Sequence, residues 1–222
     1  VGSEMCIRDR RNMNKNIIKF QEKWGLGNMQ VFSYGNTKLP KETLIVNITS
    51  ATACPSEKLG FCRCSLVCYA KKCERIYKAY LHKNTLIESY MYLWDDKDLK
   101  DMLMYYILNA PVKIKYVRLN EAGDFPDQQS VDRWSNIGRW LYKVFGIKTY
   151  CYTCREDLNF SGVHFIVNSS SPNIKAHRWF FCVDKFQFNN LPNNAVRCKG
   201  DCRKCNLCFN SRYQGVIYCK QH

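Results

Sequence analysis

The chain has 222 residues, a length that suits one domain or one domain with a small appendage. A chain of this length buries roughly 70% of its unfolded surface, so it needs no disulfide bond to fold. Its net charge of +15 fits either a solvated basic surface or a basic surface that binds nucleic acid. No apolar run approaches the roughly 20 residues of a membrane-spanning helix, and no secretory signal is visible, so we expect a cytoplasmic protein.

The organisation along the chain divides into four segments. Residues 1–12 are interpreted as an artefact, because residues 1–10 resemble translated sequencing-adapter read-through, and we expect the native chain to begin at Met13. This interpretation also removes Cys6 from the candidate site. The other segments are an irregular N-terminal cap over 13–42, an α/β core over 43–190 and a cysteine-rich metal-binding segment over 191–222.

Strand-like and helix-like runs alternate along the core. Strands are expected at 44–49, 114–119, 147–153, 163–168 and 179–183. Helices are expected to begin near Ser65, Asn84, Asp96 and Asp127, and Gly146 is expected to end the last one. The alternation predicts an α/β fold with right-handed crossovers, either a partial (β/α) barrel or an open parallel sheet with cysteine-rich metal-binding loops.

The first cysteine cluster lies between Cys54 and Cys73, directly after the first expected strand. Fourteen cysteines in a chain with no secretory signal favour metal or redox chemistry over a disulfide framework. The Cys64-x3-Cys68 spacing puts two thiolates around one turn at a helix start, where backbone N–H groups favour anions. Cys54 can supply a third metal ligand from across the loop. Cys62 is an alternative to Cys64, although Cys62 and Cys73 also fit the role of small buried hydrophobic residues.

The second cluster consists of Cys198, Cys202, Cys205 and Cys208. Four soft thiolates within so short a segment select zinc or an iron–sulfur cluster. Structural zinc usually pairs two C-x2-C knuckles across a longer spacer, whereas consecutive x2 spacings are typical of the bacterial ferredoxin run. The sequence therefore predicts a [4Fe–4S] cluster here, with zinc as the alternative, and one or two clusters in the whole chain.

Two further cysteines, Cys151 and Cys154, form a C-x2-C pair in an expected strand. Residues three apart in a strand face opposite sides of the sheet, so the two thiols are not expected to bind one metal. We interpret both as structural.

A polar loop over residues 120–126 follows the second expected strand. Arg118 ends that strand and offers a planar donor fork for a phosphate or carboxylate, while Asp124 could act as an acid, a base or a hydrogen-bond acceptor. Both are candidate catalytic residues, and the alternative is an Asx-type turn with a structural salt bridge. Because parallel strands end at one edge of a sheet, we expect Arg118 and Asp124 to line the same cleft as the first cluster.

Several of these strings together resemble the phage "gene product 88" family, over roughly residues 40–210. The resemblance implies a phage-encoded protein of the host cytoplasm. It rests on Thr52-Ala-Cys-Pro55, Cys64-Ser-Leu-Val-Cys-Tyr-Ala70, Val117-Arg-Leu-Asn-Glu-Ala-Gly-Asp-Phe125, Tyr150-Cys-Tyr-Thr153 and the terminal cysteine run.

The Cys-Tyr-Ala end of the first motif is also similar to the first-cluster motif of spore photoproduct lyase-like and other radical S-adenosylmethionine proteins. Those proteins use C-x3-C-x2-C at the end of the first strand of a partial (β/α) barrel. This chain has Lys71 where the third cysteine would stand, and Cys54 is the candidate replacement. The similarity implies S-adenosylmethionine as a cofactor.

Two classes of function remain open from the sequence. One is an iron–sulfur enzyme that acts on nucleic acid or a nucleotide, and the other is a metal-stapled protein that binds nucleic acid or another partner without catalysis. The number of ligands in the first cluster separates them, because three thiolates leave one iron open whereas four close the site.

Overall fold

The structure is a computed structural model that describes residues 29–210 and 212–221, together with Glu22 and Gly25. The artefact expected at residues 1–12, Cys6 and the expected start at Met13 lie outside these residues. In the described part of the chain, no helix is both long enough and apolar enough to cross a membrane.

Eight strands of the described chain form one sheet, in the order β1-β2-β3-β4-β5-β6-β8-β7. β1 is antiparallel to β2, and every other neighbouring pair is parallel. The α/β prediction is confirmed, and the sheet is open, not closed into a barrel. The strands are β1 (Ser33–Tyr34), β2 (Thr43–Val46), β3 (Tyr116–Leu119), β4 (Lys148–Thr153), β5 (Ile166–Ser169), β6 (Arg178–Val183), β7 (Val196–Arg197) and β8 (Val216–Lys220).

Helices connect most of these strands. A short 3-10 turn at Ser65–Val67 precedes α2, and a second one at Leu207–Phe209 precedes β8. The helices are α1 (Pro55–Lys58), α2 (Tyr69–Ile76), α3 (Lys78–Leu93), α4 (Asp96–Leu108), α5 (Gln128–Phe145) and α6 (Lys185–Asn189).

The two faces of the sheet carry different cores. One face packs against the long helices in the main core, where Val117 and Cys151 meet side chains of α3, α4 and α5. The other face carries a second core in which Tyr150, Ile166 and Ile217 pack against Cys208 and Phe209. Because consecutive strands lie side by side, right-handed crossovers put the helices on one face. The second face is covered instead by the segment between β7 and β8.

Several local predictions are confirmed. Asp95 caps α4 by accepting a hydrogen bond from the Asp98 amide, one residue before the expected start. Asp127 caps α5 by accepting from the Ser130 amide, and Gly146 ends that helix in the left-handed conformation at φ 68°.

Other local predictions are wrong, each for an identifiable reason. No helix was predicted between Cys54 and Ser65, yet α1 begins at Pro55 because proline fits the first helical position. The helix expected from Asn84 begins at Lys78, since Asn84 lies in its middle as a fully buried residue. The sequence did not predict β1, β7, β8 or α6. Of these, β1 and β7 are two-residue strands and α6 is one short turn.

Candidate metal centre

The loop after β2 is anchored by a buried carboxylate on α2. Glu74 is fully buried, and its Oε atoms accept hydrogen bonds from the amides of Ala51 and Thr52 at 2.9 and 2.8 Å. They also accept from Thr52 Oγ1 at 2.7 Å and Asn84 Nδ2 at 2.8 Å. Four donors around one carboxylate hold the exit of β2 against α2 and α3, which fixes where the cysteine loop begins.

Asp124 joins the loops that follow three neighbouring strands. Its carboxylate accepts hydrogen bonds from Ser56 Oγ at 2.6 Å, the Phe125 amide at 2.8 Å and the Cys154 amide at 2.9 Å. Thr49 Oγ1 accepts from the Asp124 amide at 3.0 Å and donates to its carbonyl oxygen at 2.9 Å. Burial raises the pKa of Asp124, and these hydrogen bonds oppose that rise. Its contacts fit a structural joint, while its catalytic role stays a prediction.

Four thiols meet at the edge that Asp124 organises, and we name them the loop thiol group: Cys62, Cys64, Cys68 and Cys154. The sulfur atoms of Cys62 and Cys64 are 3.6 Å apart. The pKa values of Cys62 and Cys154 respond to each other, and so do those of Cys64 and Cys68, which places the four thiols close together. Three members come from the loop after β2, and Cys154 directly follows β4, so the group spans two strand ends of the same edge.

Two thiols of this group have a lowered pKa. Interactions with Cys154 and Cys64, together with the charge of Lys71, lower the pKa of Cys62 to about 3, while burial opposes this change. Interaction with Cys64 lowers the pKa of Cys68 to about 6. The same interactions raise the pKa of Cys64 and of Cys154. A lowered pKa favours the thiolate, which is the form that binds metal.

Cys54 differs from the loop thiol group in its surroundings. It lies at the start of α1, and burial together with the charge of Asp124 raises its pKa to about 12. The charge of Cys62 also raises the pKa of Cys54, which indicates that Cys54 lies next to the loop thiol group. Cys73 lies further along α2, and no described thiol contacts it.

The sequence left Cys62 open as an alternative to Cys64 and indicated a structural role for Cys154, whereas the structure brings both thiols to the edge. As expected, Cys151 and Cys154 lie in different places, since Cys151 is fully buried in the main core. Cys154 is the first residue after β4 and therefore lies at the edge of the sheet. A cysteine at the carboxyl end of a parallel strand is the signal that points to this edge.

The second predicted cluster surrounds one small pocket. Its walls include all four predicted ligands, Cys198, Cys202, Cys205 and Cys208. Cys208 is buried, which raises its pKa to about 12, and it hydrogen-bonds with Tyr152. The Cys202 amide donates to the Lys38 carbonyl at 2.9 Å, which ties this segment to the turn between β1 and β2.

Among the described residues, no group of three or more His, Cys, Asp or Glu side chains is arranged to hold a metal ion. Cys62 and Cys64 instead share a hydrogen bond. Metal binding would release the thiol protons to solvent and replace such contacts by metal–sulfur bonds.

Arg118 points from β3 towards the second core. Its guanidinium carbon lies 5.0 Å from the centre of the Tyr152 ring, and within the described chain its Nε atom has no hydrogen-bond partner. Burial raises the pKa of Cys202, and the charge of Arg118 opposes that rise. Burial also raises the pKa of Cys54, and the charge of Asp124 adds to that rise. The two candidate catalytic residues therefore act on different cysteines, and their joint role in one cleft stays a prediction.

Comparisons with known proteins give one match. The model of the family described as "Gene product 88" matches residues 11–173. No curated protein and no solved structure matches the chain. None of these comparisons supports the similarity to radical S-adenosylmethionine proteins.

Proposed function

The chain belongs to the phage gene product 88 family, and within that family we propose that it is an iron–sulfur protein whose loop thiol group binds a [4Fe–4S] cluster. The observation that carries the proposal is the contact among four thiols from two strand ends. Soft thiolate sets select iron–sulfur clusters or zinc. The tight anchoring of the loop by Glu74 and Asp124 supports a site that is organised before the metal arrives.

The number of thiols favours the non-catalytic class of function. Iron–sulfur clusters are commonly held by four cysteines, and a complete set leaves no iron open to substrate. Cys154 supplies the fourth thiol beside Cys62, Cys64 and Cys68. We therefore assign this cluster an electron-transfer or structural role in a protein that binds nucleic acid. Zinc in the same four thiolates is the alternative occupant.

Purification without oxygen tests the metal assignment. We expect brown protein that contains acid-labile sulfide and about four iron atoms in the loop thiol group. C64S and C154S each lose this iron, because each removes one of the four thiolates. C54S and the control C73S keep it, because those thiols lie outside the group. Colourless protein with stoichiometric zinc would overturn the iron–sulfur assignment, and full iron content in C154S would remove Cys154 from the ligand set.

The proposed nucleic-acid partner has a matching surface next to the cysteine loop. Tyr69 and Tyr77 at the two ends of α2 are 46% and 62% exposed. Lys72, Arg75 and Lys78 are also exposed along the same segment. Exposed aromatic rings interleaved with basic side chains are typical of proteins that stack single-stranded bases and neutralise their phosphates.

Binding of single-stranded DNA or RNA is expected to weaken steeply with salt, because neutralising phosphates releases counterions. Y77A is expected to weaken binding roughly 5- to 100-fold, the effect of losing one stacked base. The matched control is Y142A, which removes a tyrosine that is 61% exposed on α5. Fluorescence anisotropy at several salt concentrations measures both effects. Salt-independent binding, or equal losses in Y77A and Y142A, would contradict this surface.

A further inference from the structure

Three cysteines lie side by side where β6, β8 and β7 end, and we name them the thiol row: Cys182, Cys219 and Cys198. Cys182 and Cys219 are register partners on β6 and β8. Cys198 directly follows β7, whose Arg197 pairs with Tyr218. The Cys198 amide donates to the Tyr218 carbonyl at 2.7 Å and so continues the ladder beside Cys219. The row therefore crosses three neighbouring strands at one level.

The thiol row faces the second core. Alternate residues of a strand point to the same face, so Cys219 shares the face of Ile217 and Cys182 that of Phe180. Ile217 is buried in the second core, and Phe180 packs against it. Cys198 is also packed against this core. All three thiols therefore project to the same face of the sheet, where Cys198 and Cys219 are half-buried and Cys182 is exposed.

The thiols of the row are close enough to influence one another. Cys219 lowers the pKa of Cys182 and raises the pKa of Cys198. Cys202 is our candidate for a fourth ligand, because it lines the same pocket as Cys198 and is the next cysteine along the chain.

We propose that the thiol row, completed by Cys202, binds a second iron–sulfur cluster. Its ligands come from three strand ends and one loop, and they differ from the consecutive run Cys198, Cys202, Cys205 and Cys208 that spacing alone predicts. This site is separate from the loop thiol group on which the proposed function rests. Both sites lie at carboxyl ends of parallel strands of the same sheet.

The width of the row distinguishes a cluster from a single ion. Neighbouring strands are about 4.8 Å apart, so the outer strands of the row are about 9.6 Å apart. Two sulfurs on one tetrahedral zinc ion are only ~3.8 Å apart, given Zn–S bonds of about 2.3 Å. A polynuclear cluster accepts more widely spaced thiolates than one ion does.

Reconstitution of the full chain with ferrous iron and sulfide, without oxygen, tests this proposal. We expect about eight iron atoms for two four-iron clusters. The double variant C182S/C219S is expected to keep about four of them, held by the loop thiol group, and C64S/C68S to keep the other four or so, held by the row. C205S and C73S are controls that keep the full iron content, because neither thiol belongs to a proposed ligand set.

Each outcome decides one of the two sites. Full iron content in C182S/C219S, or loss of about four iron atoms in C205S, overturns the thiol row. Full iron content in C64S/C68S instead overturns the loop cluster and leaves the row intact. If C182S/C219S does not fold, alkylation of the reconstituted wild-type chain decides, read out by mass spectrometry. Cys182 and Cys219 should then react far more slowly than Cys73, and equal rates would overturn the row.

Discussion

Replacing Gly123 by alanine is expected to destabilise the protein by about 2–5 kcal/mol and to prevent metal loading of the loop thiol group. Gly123 has φ +71°, a left-handed conformation that costs a side chain about 1–2 kcal/mol. An added Cβ would also overlap Thr49 Oγ1 and the Thr49 carbonyl oxygen. Thr49 in turn holds Asp124 by two hydrogen bonds, so the overlap would separate the loops after β2 and β3. Urea unfolding and iron content measure the two effects.

The matched control is G146A, at the end of α5. Gly146 has nearly the same backbone conformation, with φ +68°, but no heavy atom lies within 4 Å of an added Cβ. Its replacement should therefore cost only the backbone strain of about 1–2 kcal/mol. The difference between the two variants isolates the close approach to Thr49. Equal losses of stability in G123A and G146A would show that Thr49 and Gly123 are not in the tight contact described above.

The edge that carries the site could be predicted because it depends on chain order alone. Apolar runs alternate with helical ones, so parallel strands follow, and loops such as 120–126 fall at their carboxyl ends. The contacts of Asp124 with Ser56 and the Cys154 amide bear out that these loops meet. Strand bounds were harder, since 44–49 was expected where β2 ends at Val46. After Val46 the chain turns to pair with the loop that follows β3. The β-strand propensity of these residues does not predict that pairing.

The thiol partners could not be predicted because they depend on register. Cys182 and Cys219 are 37 positions apart in the sequence and become neighbours only when β8 inserts between β6 and β7. Nothing in the short runs that form β7 and β8 specifies that order. Cys154 could not be predicted for the same reason, because it and Cys62 belong to different loops that only the fold brings together. The spacing of cysteines along the chain identifies ligands within one segment, such as Cys64 and Cys68. It does not identify ligands that come together only when the sheet forms.

Replacing Asp124 by alanine is expected to cost about 4 kcal/mol and to abolish iron binding in the loop thiol group. The change leaves three donors without their acceptor, namely Ser56 Oγ and the amides of Phe125 and Cys154, and each buried orphan costs roughly 1–3 kcal/mol. The Cys154 amide is then free to move, so the fourth thiol of the group loses its position. The free energy of unfolding, from urea titration, and the iron content of anaerobic protein are the two measurements.

A second pair of variants separates the structural role of Asp124 from the catalytic role that its sequence position suggests. D124N keeps the size of the side chain but places an NH2 donor against the donors around it, so it should lose roughly 1–3 kcal/mol together with iron. D127N is the control, because Asp127 only caps α5 and asparagine caps a helix about as well, so little should change. A catalytic carboxylate would behave differently: D124N would keep full stability and full iron content. That result would show that the three hydrogen bonds to Asp124 do not hold the edge together.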